Sequence, residues 1–236
     1  MSESQTPVPI ALREALAMTD SVWQAHLKTL RDLALLELPY SENRREASSA
    51  FRVLKEAEAR PAAVLMVFGF STEQESREIT RLDRASILIT RRADHLETHR
   101  GQMAFPGGML EVAAGEKAEE GALREAEEEV ALPRQQVQVV GALPSLRTVT
   151  RFEVTPVLGL LKSPLESLEL RLDAAETAEA FWIPIHRLKA PEVYRVEQVE
   201  YRGRHYPTHV YQVGAHRIWG ATGELLFQLL RRLERV

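Results

Sequence analysis

The chain contains no cysteine, which excludes disulfide staples, thiolate zinc sites and a cysteine nucleophile. It has no excess of positive charge: 30 Lys and Arg stand against 34 Asp and Glu, a net charge of −4, so no global basic field is offered to nucleic acid. No stretch approaches the roughly 20 consecutive apolar residues of a membrane span. The opening residues, MSESQTPVPIALREALAM, lack a basic region followed by an apolar one. Neither a G-x-G-x-x-G fingerprint nor a Walker A motif is present, which weakens dinucleotide-oxidoreductase and P-loop readings. Internal repeats and low-complexity segments are missing too. What remains is the expectation of a soluble, cytoplasmic protein with neither nucleic acid nor a membrane as partner.

The 236 residues, 44% of them hydrophobic, are enough for one α/β domain with a terminal extension or for two domains. Residues 1–9 read as a loose end. Over 10–38 the apolar residues Leu12, Leu16, Trp23, Leu27, Leu30 and Leu33 recur at helical spacing, and Pro39 closes the segment. A polar, helix-compatible link follows to residue 60. Buried or alternating strands are predicted over 61–68, 87–90, 103–105, 137–143, 153–161 and 178–184. A short helix is predicted over 185–188, a hairpin over 201–213 around Gly203, and a helix over 218–233. Residues 71–84 read as an excursion between strands, and 163–172 carry no clear pattern. This order predicts a mixed sheet between helices, not a repeated βαβ array.

The stretch that carries chemistry runs from Gly107 to Leu132. Glu125, Glu128 and Glu129 stand at helical offsets of zero, three and four, which puts the three carboxylates on one face. Each like-charged pair costs a helix roughly 0.2–0.5 kcal/mol unless something positive sits between them. Leu123, Ala126 and Val130 form a separate apolar stripe, so the acidic cluster lies off the core. A divalent, oxygen-preferring cation, Mg²⁺ or Mn²⁺, would relieve the repulsion. The alternative from composition alone is a solvated acidic face. Pro133 ends the helix, and Gly107 and Gly108 precede it with a backbone able to approach a ligand closely.

These residues resemble the box of the Nudix hydrolases, G-x(5)-E-x(7)-R-E-U-x-E-E-x-G-U with U apolar. Glu116, seven intervening residues, then Arg124-Glu125-Ala126-Glu127-Glu128-Glu129 match its second half without a gap. The resemblance implies a Nudix-type α/β/α sandwich with a mixed sheet, plus an N-terminal helical extension over 1–58 before a domain over 59–236. It implies that Glu125, Glu128 and Glu129 bind the metals, that the Gly108 carbonyl adds a ligand, and that Glu116 and Arg124 hold the loop against the helix. A carboxylate from the later segment can enter such a site, which makes Glu176 a further candidate; otherwise Glu176 and Glu179 read as surface charges. Two departures stand out. Seven residues separate Gly108 from Glu116, two more than in the box. Ala131 replaces the final glycine, for which a local change of helix cap is expected.

Upstream, Leu88, Ile89, Thr90, Arg92, Ala93, Gly101, Phe105, Pro106, Gly107 and Gly108 fall at the spacing of a segment found in the coenzyme A pyrophosphatases of that family. Ile218-Trp219-Gly220-Ala221-Thr222 is a second echo of the subgroup. The resemblance implies metal-dependent cleavage of coenzyme A, with Arg91, Arg92, His99, Arg100, Gly107 and Gly108 at the substrate. Glu97 stands where the subgroup has an arginine. His95 reads equally as a substrate contact or as part of a surface loop, and Trp219 as core packing. Another nucleoside diphosphate compound as substrate, such as ADP-ribose or NADH, and a non-catalytic nucleotide sensor are the alternatives. A homodimer is left open.

Overall fold

A computed structural model describes residues 24–36, 59–71, 82–201 and 203–235. Within the predicted extension, residues 24–35 form helix α1 and Leu36 follows it, while residues 1–23 and 37–58 lie outside the described residues. Leu27, Leu30 and Leu33 recur at offsets of three and are all buried in the larger core. Each buried leucine contributes about 1.5–3 kcal/mol relative to exposure.

Strand β1 (Arg60–Gly69) is the spine of an eight-stranded mixed sheet. It runs parallel to β7 (Phe152–Leu161) from Arg60↔Phe152 to Phe68↔Leu160. Both faces of β1 are covered, which is why it reads as a continuous apolar run. Its side chains alternate: Ala62, Met66 and Phe68 enter the larger core, with α1 and α4 (Gly220–Leu233). Ala63, Leu65 and Val67 enter the second core, under α2 (Ala118–Val130). The result is an α/β/α sandwich on a mixed sheet, as the pattern predicted.

One irregularity in this sheet positions the site. Strand β2 (Ser86–Arg92) pairs with β1 only at Phe68↔Ile87 and Gly69↔Ser86, and then the two diverge. The chain fills the gap itself, pairing β3 (Met103–Ala104) with β2 and β4 (Gly107–Met109) with β1. On the far side of β2 lies β8 (Thr177–Pro184). The other edge is formed by β5 (Val137–Ala142), with β6 (Leu146–Arg147) on β7. The pattern-free stretch after β7 makes a 3₁₀ turn, Leu165–Ser167, then lays Leu168 and Leu170 on the second core. Helix α3 (Ile185–Leu188) follows β8 as predicted.

A separate three-stranded sheet comprises β9 (Tyr194–Tyr201), β10 (Arg204–Val213) and β11 (His216–Ile218). The hairpin turns at Gly203, as expected, but its first strand begins seven residues earlier than the alternation indicated. The apolar residues of β9 change phase, from Tyr194 and Val196 to Val199 and Tyr201, so no single alternating face is visible in the sequence. Ile218 belongs to β11, not to the terminal helix, which starts at Gly220. Among the described residues no helix is long and apolar enough to cross a membrane.

Candidate metal centre

Helix α2 rests on the sheet through Ala122, Ala126 and Val130, all buried, with Leu123 beside them. At its start Glu120 Oε2 accepts a hydrogen bond from the Lys117 N–H at 3.0 Å. At its end the expected change of cap is not found. Ala131 itself takes the left-handed conformation, with φ 53° and ψ 35°. The N–H groups of Ala131 and Leu132 bond the carbonyls of Glu127 and Ala126 at 3.0 and 3.2 Å. The cap is retained because its hydrogen bonds do not need glycine; alanine carries a strain on the order of 1 kcal/mol.

The apolar stripe leaves Glu125 and Glu129 on the adjoining face, where Glu176 meets them from the loop before β8. One carboxylate oxygen from each lies within 4.8 Å of the others. Of the three glutamates of α2 expected at the metal, the structure gathers two and adds Glu176. Glu128 stands outside the trio: its side chain is 57% exposed, and its Oε2 accepts from Arg124 Nη1 at 2.9 Å.

Arg124 is the positive group that the helix spacing asks for. Its Nη1 also donates to Glu125 Oε1 at 2.9 Å, and its Nε and Nη2 grip both oxygens of Glu116 at 2.8 and 3.1 Å. Nη2 reaches the Met109 carbonyl at 3.2 Å, which fastens the loop to the helix. Glu116 Oε2 further accepts from the Glu111 N–H at 2.8 Å. Arg124 first, and this N–H second, hold the Glu116 carboxyl below its ordinary range. The two extra loop residues are accommodated in a 3₁₀ turn, Val112–Ala114, closed by left-handed Gly115.

Strand β4 brings bare backbone to the carboxylates. A Cβ on Gly108 would collide with the Glu125 carboxylate, and one on Gly107 with the Ala63 carbonyl oxygen. The nearby Gly107 N–H favours the charged form of Glu129. Even so, burial first and the charges of Glu125 and Glu176 push the Glu129 carboxyl up to about 8, against the pull of Arg92. Burial raises Glu125 as well, opposed by its bond to Arg124. Carboxylates so crowded suit a hard divalent cation.

The basic residues divide. Arg91, expected at the substrate, is engaged by protein carboxylates: its Nε bonds Glu179 Oε1 at 2.6 Å and its Nη1 bonds Asp94 Oδ1 at 2.7 Å. Both raise its pKa. Arg91 and Glu179 are direct cross-strand partners, a register the sequence does not display. Arg92, half-buried at a bulge in β2, acts on Glu129 through its charge. His99 and Arg100 stand exposed on the loop between β2 and β3, with His99 Nδ1 2.9 Å from Gln102 Oε1. Glu97 is exposed on the same loop. His95 faces protein: its Nε2 lies 3.0 Å from the Ala175 carbonyl oxygen. Trp219 is half-buried under the Arg217 guanidinium, 4.7 Å from its ring centre.

A glycine strand laid against a helix of clustered carboxylates, with arginine at the rim, is an arrangement suited to a divalent cation. Residues 73–202, more than half the chain, match the NUDIX domain. The chain belongs to the Nudix hydrolase family, enzymes that act on pyrophosphate bonds and generally use divalent metal ions. It is similar to a Photorhabdus laumondii protein named uncharacterized Nudix hydrolase NudL, at 37% identity over 149 residues, 63% of this chain and 78% of that protein. The like-named protein of Salmonella paratyphi B is 38% identical over 142 residues, covering 60% of this chain and 66% of its own length. A solved Nudix hydrolase from M. smegmatis aligns at 22% identity and a TM-score of 0.41, over 53% of this chain and 70% of that one.

Proposed function

We propose that the protein hydrolyses the diphosphate of coenzyme A, or of its derivatives, to 3′,5′-adenosine diphosphate and 4′-phosphopantetheine. The observation that carries this reading is the segment from Leu88 to Gly108, which resembles that of coenzyme A pyrophosphatases and runs from β2 through β4 beside the acidic trio. In this reading Glu125, Glu129 and Glu176 hold the metal, with Glu128 at the rim and the Gly108 carbonyl as a further oxygen ligand. Bound Mg²⁺ or Mn²⁺ supplies charge to neutralise the diphosphate and makes a bound water more acidic. Arg92 steadies a phosphate, assisted from the loop by His99 and Arg100. Arg124 and Glu116 keep β4 and α2 in register. Glu176, exposed and without the Arg124 bond that engages Glu125, accepts the proton of the attacking water.

Purified protein with Mg²⁺ or Mn²⁺ is expected to convert coenzyme A into those two products, read by chromatography. Glu97, acidic and exposed where the subgroup has arginine, favours a second reading in which another nucleoside diphosphate compound is cleaved. Turnover of ADP-ribose or NADH with coenzyme A left intact decides for that second reading.

A further inference from the structure

Two carboxylates of the trio share helix α2, so the backbone of that helix sets their spacing. The third, Glu176, comes from a loop, and its place depends on what holds residues 171–177. That loop is tied to the end of α2 by backbone bonds: the Arg171 N–H reaches the Val130 carbonyl at 3.1 Å, and the Asp173 N–H reaches the carbonyl of Glu129 itself at 2.9 Å. Asp173 then closes a turn. Its carbonyl accepts the N–H of Glu176 at 3.0 Å and of Thr177 at 2.8 Å, and its Oδ1 accepts the Ala175 N–H at 2.9 Å.

The far side of the turn is held by a second side chain. The Ala175 carbonyl can only accept, so His95 Nε2, 3.0 Å away, carries the proton and donates it. The Glu176 carbonyl accepts from the Ala93 N–H at 2.8 Å, which joins the turn to the end of β2. Ala175 is therefore gripped at both polar groups, by Asp173 on one side and His95 on the other. Both side chains are exposed, so neither fills a core and removing either opens no cavity.

We propose that Asp173 and His95 are positioning residues: together they fix the peptide before Glu176, so that its carboxylate meets those of Glu125 and Glu129. The inference rests on Glu176 acting as a metal ligand in the function proposed above. Loss of such supporting bonds typically costs about 10–100-fold in metal affinity or activity. Asp173→Ala and His95→Ala are each expected to weaken Mn²⁺ binding about tenfold, read by the electron paramagnetic resonance of free Mn²⁺. Each lowers kcat with coenzyme A more than it raises KM. Asp173→Asn keeps the Oδ1 acceptor and His95→Gln supplies an amide donor in place of Nε2, so both are expected to restore binding. Adding Asp173→Ala to Glu176→Gln is expected to cost nothing further, because both changes act on one group.

Mn²⁺ affinity within about twofold of wild type in both alanine variants, alongside a clear loss in Glu176→Gln, overturns the inference and leaves the proposed site standing. A loss in Asp173→Asn as large as in Asp173→Ala overturns it too. Unchanged affinity in Glu176→Gln instead removes the ligand assignment on which it rests.

Discussion

Helices α2 and α4 each bury a glutamate, and the two glutamates have opposite surroundings. Glu129 on α2 is 4% exposed and Glu224 on α4 is 3% exposed. Around Glu224 the chain supplies donors: Gln228 Nε2 bonds its Oε1 at 2.9 Å, and His209 Nε2 lies 3.6 Å from its Oε2. His209 is itself held by the Tyr194 hydroxyl at 2.8 Å and stacked on Phe227 at 3.7 Å. Burial pushes its pKa down to about 4, so near neutral pH the ring is uncharged and the contact with Glu224 is not an ion pair. Around Glu129 the chain supplies more carboxylates. Equal burial thus has two consequences: a glutamate among donors is a fastening within the fold, while a glutamate among carboxylates carries a repulsion that positive charge would relieve.

The largest effect expected from this contrast is at Glu129. Glu129→Gln is expected to lower kcat/KM about 10³-fold or more in a coenzyme A assay, since in the proposed function it removes a charge that holds the metal. Without metal at pH 8, the same variant is expected to melt no lower than wild type, because it relieves repulsion. Retained activity would abolish the distinction between the two helices.

The pH dependence follows from the same group. Glu129 titrates near 8 in the folded, metal-free protein and near 4.5 once exposed by unfolding. The folded state therefore keeps a proton that the unfolded state releases, and this contribution to stability is lost as pH rises from about 4.5 to about 8. Metal binds the deprotonated form, so the rise in Tm on adding Mn²⁺ is expected to grow from pH 5 to pH 8. Calorimetry in buffers of different ionisation enthalpy is expected to show proton release on binding near pH 7. A Tm gain that is flat across this range would remove Glu129 from the metal.

Glu224→Ala is the converse experiment. It leaves Gln228 Nε2 buried without this acceptor, and is expected to destabilise by about 1–3 kcal/mol in urea unfolding. Turnover per folded molecule should stay at the wild-type level. The smallest effect is at the end of α2, where Ala131→Gly is expected to stabilise by about 1 kcal/mol, read as a higher Tm.

Local patterns were legible in the sequence. The acidic face, the apolar stripe beside it and the continuous run of β1 each follow from spacing within a few residues, and each has its expected counterpart in the structure. What escaped depends on pairing between distant segments. Arg91 read as a substrate contact because its partner Glu179 lies 88 residues away and faces it only through the β2–β8 register. Glu176 was a candidate by resemblance alone, since no periodicity links it to α2. The exposure of Glu128 is equally non-local, because Glu125, Glu128 and Glu129 share a helix face and Arg124 and the Glu176 loop decide which of them meet. His95 read as a substrate contact or part of a surface loop and Asp173 gave no signal, because the partners of both are backbone groups of a turn.

The loop between Gly108 and Glu116 is fixed at both ends by separate bonds, through β4 on one side and the Glu116–Arg124 clasp on the other. Its middle protrudes, with Val112 more than half exposed. Closing a longer loop costs little, about 0.6 kcal/mol for each doubling of length. This bulge is therefore a place where length and composition can be rewritten while the chemistry beneath stays in register. For an engineer it is a port: residues 112–114 offer a turn that can be lengthened or replaced without touching a single carboxylate of the trio.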